Sequence, residues 1–193
     1  MHIVITRPKE DSLNLAENLI KLGHTVTYLP VIKIQKLETQ KINLINYQAV
    51  IFTSSNAIKF INIGKFNSKI KCFCVGKTTE FAAKKIGFVN TYSSEGTVDS
   101  LIELIIRTLD NKSGKLLYLS SEFISKDLDQ DLISSGYPVD RISNYTSLPV
   151  EEIDKKTLNF LEKNPPDVIF VYSSMSAKNL FKLINKYSLL NVV

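Results

Sequence analysis

Two stretches end an apolar run in small hydroxyl and amide side chains and then begin a helix-like pattern. The first is Val50, Ile51, Phe52, Thr53, Ser54, Ser55, Asn56, Ala57; the second is Phe170, Val171, Tyr172, Ser173, Ser174, Met175, Ser176, Ala177. Phe52 aligns with Tyr172, Thr53 with Ser173, Ser54 with Ser174, Asn56 with Ser176 and Ala57 with Ala177. A strand, a hydroxyl-rich turn and a helix start, occurring twice, predict two similar α/β units. Each turn sits where open α/β sheets hold ligands, at the carboxyl end of a strand. A helix N-terminus there favours an anion. The same residue types also serve as plain N-caps, so each turn reads either as a ligand site or as a cap.

Two further turns share this character. Thr6, Arg7 and Pro8 follow the apolar Ile3, Val4 and Ile5. Pro8 ends that strand because it has no N–H to donate, which leaves Arg7 either holding a ligand or on the surface. Gly76, Lys77, Thr78 and Thr79 follow the Cys72–Val75 run. A phosphate loop would need a glycine at position 71, which holds lysine, so a P-loop is excluded. A tight glycine turn with a threonine cap, touching a ligand, is what survives.

Metal and redox chemistry find no support in the spacing. Cys72 and Cys74 flank Phe73 and share one face of a strand; this is not a C-x-x-C pattern, and buried free thiols are expected. His2 and His24 have no partner at ligand spacing. No metal site is expected. The 193 residues, 44% hydrophobic and 22% charged, suit one large or two small globular domains. The +5 formal charge comes from scattered lysines. They read as solvated surface or as the field of a protein that binds an anionic small molecule. No nucleic-acid motif stands out, so no nucleic-acid partner is expected. No apolar run is long enough to span a membrane, and the first residues lack a signal-peptide layout. A cytoplasmic protein with no membrane partner is expected.

The elements that must position these turns follow from periodicity. Leu13, Ala16, Leu19 and Ile20 form the apolar face of a helix from Ser12 to Leu22, closed by Gly23. Strands are predicted at 25–29, 50–52, 72–75, 88–92, 115–119 and 139–142. Helices are predicted at 57–63, 81–86, from Thr97 through Leu109, at 127–133, 154–161 and from Ser176 to about Lys186. Residues 31–37 and 144–149 look half-exposed, so they could pair as a two-stranded connector. Residues 189–193 look like the start of a strand.

Taken in order, these motifs resemble uroporphyrinogen-III synthases of tetrapyrrole biosynthesis. The resemblance runs through Val4–Pro8, Phe52–Ala57, Val75–Thr79, Ser94–Gly96, Gly114 and Lys115, Asn144 and Tyr145 four residues before Pro149, and Tyr172–Ala177. It implies two similar flavodoxin- or Rossmann-like α/β domains with parallel sheets, joined by a two-stranded linker. The first domain would be discontinuous, 1–36 with 149–193, and the second would be 37–148. The implied reaction cyclises hydroxymethylbilane to uroporphyrinogen III, inverting ring D and releasing water, with no metal or organic cofactor, in a monomer. The free substrate cyclises unaided to the non-inverted isomer, so catalysis is mainly positioning and selection between transition states. The resemblance makes Tyr145 the candidate to assist departure of hydroxide. Thr6, Arg7, Thr53, Ser54, Asn56, Thr78, Ser173, Ser174 and Ser176 would bind the eight substrate carboxylates.

The chain departs from the family pattern twice. Ser120 and Ser121 stand where many members carry an arginine and a glycine. Members also usually continue past position 193, so the first domain is expected to lack a strand, a turn and a closing helix. Two other readings therefore stand beside the synthase: a non-catalytic module binding an anion or nucleotide, and an inactive shortened member.

Overall fold

The computed structural model describes residues 1–64 and 66–189. It is a mixed α/β protein with parallel strand pairing in both of its sheets. The chain divides into two compact units: residues 1–34 with 147–193, and residues 35–146.

In the 35–146 unit, apolar runs form β4 (Tyr47–Phe52), β5 (Lys71–Val75) and β7 (Lys115–Ser121). They are joined by β6 (Asn90–Ser94) and β8 (Val139–Pro149), which runs on past the unit boundary. With β3 (Ile32–Lys36) at one edge, the sheet order is β3-β8-β7-β4-β5-β6. Ala49, Val50, Ile51 and Phe52 are all fully buried, because helices cover both faces and a parallel strand then needs apolar residues at every position. Alternate residues serve opposite faces. Ala49, Ile51, Phe73, Leu116 and Tyr118 pack under α4 (Val98–Thr108) and α5 (Leu128–Ser134). On the other face, α2 (Ser55–Lys59) and α3 (Gly76–Lys85) bring in Ala57 and Ala83, and the ring of Phe52 meets Phe88 edge-on, with centroids 5.9 Å apart.

The connectivity fixes where a ligand can sit. From β4 the chain moves outward through β5 to β6, then returns to the other side of β4 for β7 and β8. The strand order therefore reverses between β4 and β7. A crevice opens outside the carboxyl ends of strands at such a reversal. Thr53 and Ser54 end one of these two strands, and Ser120 and Ser121 end the other.

The other unit repeats this plan on a smaller scale. Its strands are β1 (His2–Ile5), β2 (Thr25–Tyr28) and β9 (Val168–Phe170), in the order β2-β1-β9, all parallel. The helices are α1 (Leu13–Lys21), α6 (Lys155–Lys163) and α7 (Ser174–Lys186). Val4, Leu29, Val31, Leu161, Leu180 and Leu183 share one core. His2 is tied down by Asn164 O at 2.9 Å and Thr27 Oγ1 at 2.8 Å, so its ring is part of the scaffold. Here the order reverses between β1 and β9.

Several elements differ from the sequence expectation. Residues 139–149 form one strand, not a strand followed by an extended segment. β6 begins at Asn90; Phe88 is apolar because it packs beneath the sheet against Phe52 and Phe66. The 57–63 helix is α2, shorter and earlier at Ser55–Lys59. Ser12 donates its hydroxyl to Pro8 O at 3.2 Å and does not cap α1 through its side chain. Of the expected strand at 189–193, Leu189 packs in a core and 190–193 lie outside the described residues.

One carboxylate is held far below its ordinary range. Glu80 is buried on α3, where Lys84 (2.9 Å), Lys77 (3.0 Å) and the Thr91 hydroxyl (2.9 Å) converge on it. The Lys84 bond leads in lowering its pKa to about 2, against the opposing effect of burial. An unfolded glutamate titrates near ~4.3. Because the folded value is depressed, this stabilisation is complete above about pH 4.3 and is lost as pH falls toward 2. Glu80→Gln is expected to lower the melting temperature at pH 7, with the gap to the parent protein narrowed to about half at pH 3. Thermal unfolding at the two pH values checks it.

Candidate functional site

At the order reversal of the 35–146 unit, side chains from β4, β7 and β8 converge. The Thr53 hydroxyl and the Tyr118 phenol lie 3.2 Å apart, bridging β4 to β7. Ser54 is the N-cap of α2, its hydroxyl accepting from the Asn56 N–H at 3.2 Å. Tyr145 comes from β8 and is 7% exposed. Burial pushes its phenol above the ordinary value, while the Ser54 and Ser121 side chains pull the other way. Tyr145 therefore carries its proton at neutral pH and is a donor. The Glu122 N–H donates to Tyr145 O at 2.9 Å, so the end of β7 also fixes the tyrosine backbone. Next to it, fully buried Asn144 donates from Nδ2 to Ala57 O at 2.6 Å, tying β8 to α2.

Arg141, on β8, completes this cluster. Its Nε donates to Ser120 Oγ at 2.9 Å, and its Nη2 donates to Ser121 O and Glu122 O, both at 3.0 Å. Burial raises the phenol of Tyr118, with the Thr53 hydrogen bond and the Arg141 charge opposing. Two tyrosines that keep their protons, several hydroxyls and a guanidinium can donate hydrogen bonds to an anion or to a departing oxygen.

The expected residues fare differently. Thr53, Ser54 and Tyr145 are brought together. Asn56 is half-buried, and its side-chain amide makes no hydrogen bond among the described residues. Thr78 is exposed near the start of α3, on the same sheet edge but at β5, beyond β4 from Tyr145. No threonine caps that helix: α3 starts at Gly76, whose φ of +74° makes the sharp entry that a glycine permits. Sequence reasoning missed Tyr118, Ser121, Arg141 and the anchoring role of Asn144. Only the adjacency of Asn144 to Tyr145 could have signalled any of these.

The unit formed by 1–34 and 147–193 places the other candidates at its own order reversal. Thr6 is fully buried, and its hydroxyl donates to Phe170 O at 2.7 Å. Its one side-chain proton is thus spent locking β1 against β9. The exposed guanidinium of Arg7 lies 5.1 Å from the centre of the Tyr172 ring. Ser173 caps α7: its hydroxyl accepts from the Ser176 N–H at 3.1 Å and lies 3.0 Å from the Ser176 hydroxyl. Ser174 is exposed and Ser176 is buried. The capping serines, Ser54 and Ser173, are one position apart in the alignment of the two repeats, so the two turns differ by one residue. Ser173→Ala is expected to cost about 1 kcal/mol as a lost cap. If Ser173 also holds substrate, KM rises as well, and steady-state kinetics beside thermal unfolding separate the two roles.

Among the described residues, no group of three His, Cys, Asp or Glu side chains is placed to hold a metal ion. The Cys72 and Cys74 sulfurs are buried 3.8 Å apart. Their mutual hydrogen bond and burial push the Cys72 thiol up, so it stays protonated.

Fold and site together define a doubly wound α/β protein with polar, donor-rich turns at its strand-order reversals. The chain belongs to the uroporphyrinogen-III synthase HemD family, whose model matches residues 14–193. A porphyrin biosynthesis protein HemD from Ruminiclostridium josui is 26% identical over 168 residues, covering 80% of this chain and 33% of that protein. The chain thus spans about a third of the length of this curated relative. The crystal structure of the uroporphyrinogen-III synthetase from Helicobacter pylori superposes with a TM-score of 0.61 at 18% identity, over 94% of this chain and 78% of that one. A mutant uroporphyrinogen III synthase from Thermus thermophilus gives a TM-score of 0.56 at 16% identity, over all of this chain and 81% of that one. At these identities the two structures show a shared fold.

Proposed function

We propose that this chain is a uroporphyrinogen-III synthase, a lyase that cyclises hydroxymethylbilane to uroporphyrinogen III with inversion of ring D and loss of water. The observation that carries this reading is the buried, protonated Tyr145 phenol beside Ser54 and Ser121 at a strand-order reversal. It stands in a chain that matches the family model almost throughout. Departure of the substrate hydroxyl breaks a C–O bond and leaves a cation delocalised into the pyrrole. Tyr145 gives its proton to that oxygen as charge develops, and the oxygen leaves as water. The substituted α carbon of ring D then attacks the cation to give a spiro intermediate. The bond from that carbon to the ring C methylene breaks, the methylene rejoins ring D at its free α carbon to close the macrocycle, and the proton lost there returns to Tyr145.

The other candidates hold carboxylates. Thr53, Ser54, Asn56 and Thr78 do so in the 35–146 unit, and Arg7, Ser173, Ser174 and Ser176 in the other unit, while Thr6 fixes the strand that carries Arg7. Hydrogen bonds to charged oxygens are the stronger kind, and an even spread of them selects a substrate conformation. The chain works as two domains, 1–36 with 149–193 and 37–148, joined by residues 31–37 and 144–149 as a two-stranded linker. The protein works as a cytoplasmic monomer without cofactor. Fresh hydroxymethylbilane, followed by oxidation and chromatographic separation of isomers I and III, tests the reading. Isomer III above the enzyme-free control is expected; isomer I alone overturns the assignment of activity.

A further inference from the structure

The carboxyl end of β7 holds a cation that the mechanism above leaves unused. Arg141 is half-buried. Three of its five N–H groups are engaged, by Ser120 Oγ, Ser121 O and Glu122 O. These bonds fix the plane of the guanidinium. The two N–H groups on Nη1 have no acceptor among the described residues. No carboxylate among them comes within 4.0 Å of the guanidinium either, the buried Asp129 that also acts on Tyr118 included. A partly desolvated charge held by neutral partners alone gains more from an arriving anion than a surface charge does.

Its place matters as much as its state. The residues it grips end β7, one of the two strands at the order reversal. One of them, Ser121, also acts on the Tyr145 phenol. Tyr118, which feels the Arg141 charge, is bonded to Thr53 at the end of β4. The fork is therefore preorganised on rigid strands, beside the group assigned to the chemistry. Lysine could supply the charge but not the fixed fork.

We infer that Arg141 is a substrate-binding residue, whose free Nη1 takes one carboxylate of the linear tetrapyrrole and so sets the position of the chain against Tyr145. This rests on the function proposed above, and its test is chosen to separate the two. Uroporphyrinogen III, kept reduced under nitrogen, is titrated calorimetrically into the parent protein, Arg141→Gln and Arg141→Lys. Isomer III formation is measured on the same samples, and thermal unfolding confirms that each is folded. Arg141→Gln is expected to weaken binding and raise KM by about tenfold, the size of one charge-assisted hydrogen bond. Arg141→Lys should fall between it and the parent. Rising salt should weaken binding to the parent more steeply than to Arg141→Gln, a readout that a scaffold role would leave unchanged. Equal affinity and equal salt dependence in folded parent and variants overturn the inference, as does a parent that does not bind. A parent that binds through Arg141 but makes no isomer III upholds the anion site and overturns the synthase reading. If Arg141→Gln does not fold, Arg141→Lys decides: affinity equal to the parent overturns the inference, and weaker affinity supports it.

Discussion

Tyr145→Phe is expected to slow formation of isomer III by about 100-fold, the low end of what a positioned proton donor contributes, while the melting temperature changes by only a few degrees. The variant deletes one oxygen and keeps the ring that fills its buried space on β8. The stability cost is limited to the Ser54 and Ser121 hydroxyls losing a neighbour, each free to turn to another partner. The rate cost is larger because, in the proposed mechanism, the phenol acts on the oxygen that must leave. Substrate that escapes catalysis closes without inversion, so the ratio of isomer III to isomer I reports the loss directly. The pH profile gives a second check. Burial holds the phenol above its ordinary value of about 10. The acid form is the active one, so Tyr145 contributes no falling limb between pH 7 and 9, and its loss of activity begins only in stronger alkali. An unchanged rate in Tyr145→Phe removes this residue from the mechanism.

The strands most legible in the sequence are those buried on both faces. Ile3–Ile5, the apolar end of β4 and the Cys72–Cys74 run read as strands because packing on both faces favours apolar residues at every one of these positions. β8 was not legible as one strand, because its interior carries buried polar residues. Asn144 is buried for what it holds across the sheet and not for its hydropathy. Phe88 misled for the opposite reason, being apolar outside any strand because a ring is needed beneath Phe52.

The site divides along the same line. Thr53, Ser54 and Tyr145 could be picked out from local motifs and the family resemblance. What places them together is the pairing of β4 with β7 and β7 with β8, contacts between residues 23 to 68 positions apart. Ser121 and Tyr118 become neighbours of the site only through that pairing. Arg141 sits within an ordinary strand, and nothing in its local sequence distinguishes it from a surface arginine. Thr6 shows the limit from the other side: its local sequence marks a strand end, but whether its proton is free depends on a carbonyl 164 residues away.

Phe52→Ala is expected to destabilise the 35–146 unit by about 3–5 kcal/mol, the range for truncating a fully buried aromatic. Phe52 is fully buried, the last residue of β4, registered against Cys74 on one side and Leu119 on the other. Its ring meets Phe88 edge-on at an interplanar angle of 72°. Both neighbouring strands are hydrogen-bonded to β4, so the backbone cannot collapse to refill the space, and the loss should lie toward the top of that range. Against a total of about 5–15 kcal/mol for a domain, such a variant folds only marginally. Urea unfolding should show a lower midpoint with an unchanged slope, and Phe52→Leu, which refills most of the volume, should recover most of it. The position also adjoins the site, since the next two residues are Thr53 and Ser54. Measured well below its melting temperature, folded Phe52→Ala should still make isomer III at more than a tenth of the parent rate if the ring serves only the core. A larger loss in the folded variant means that the Phe52 ring also sets the direction in which the β4 turn presents its hydroxyls.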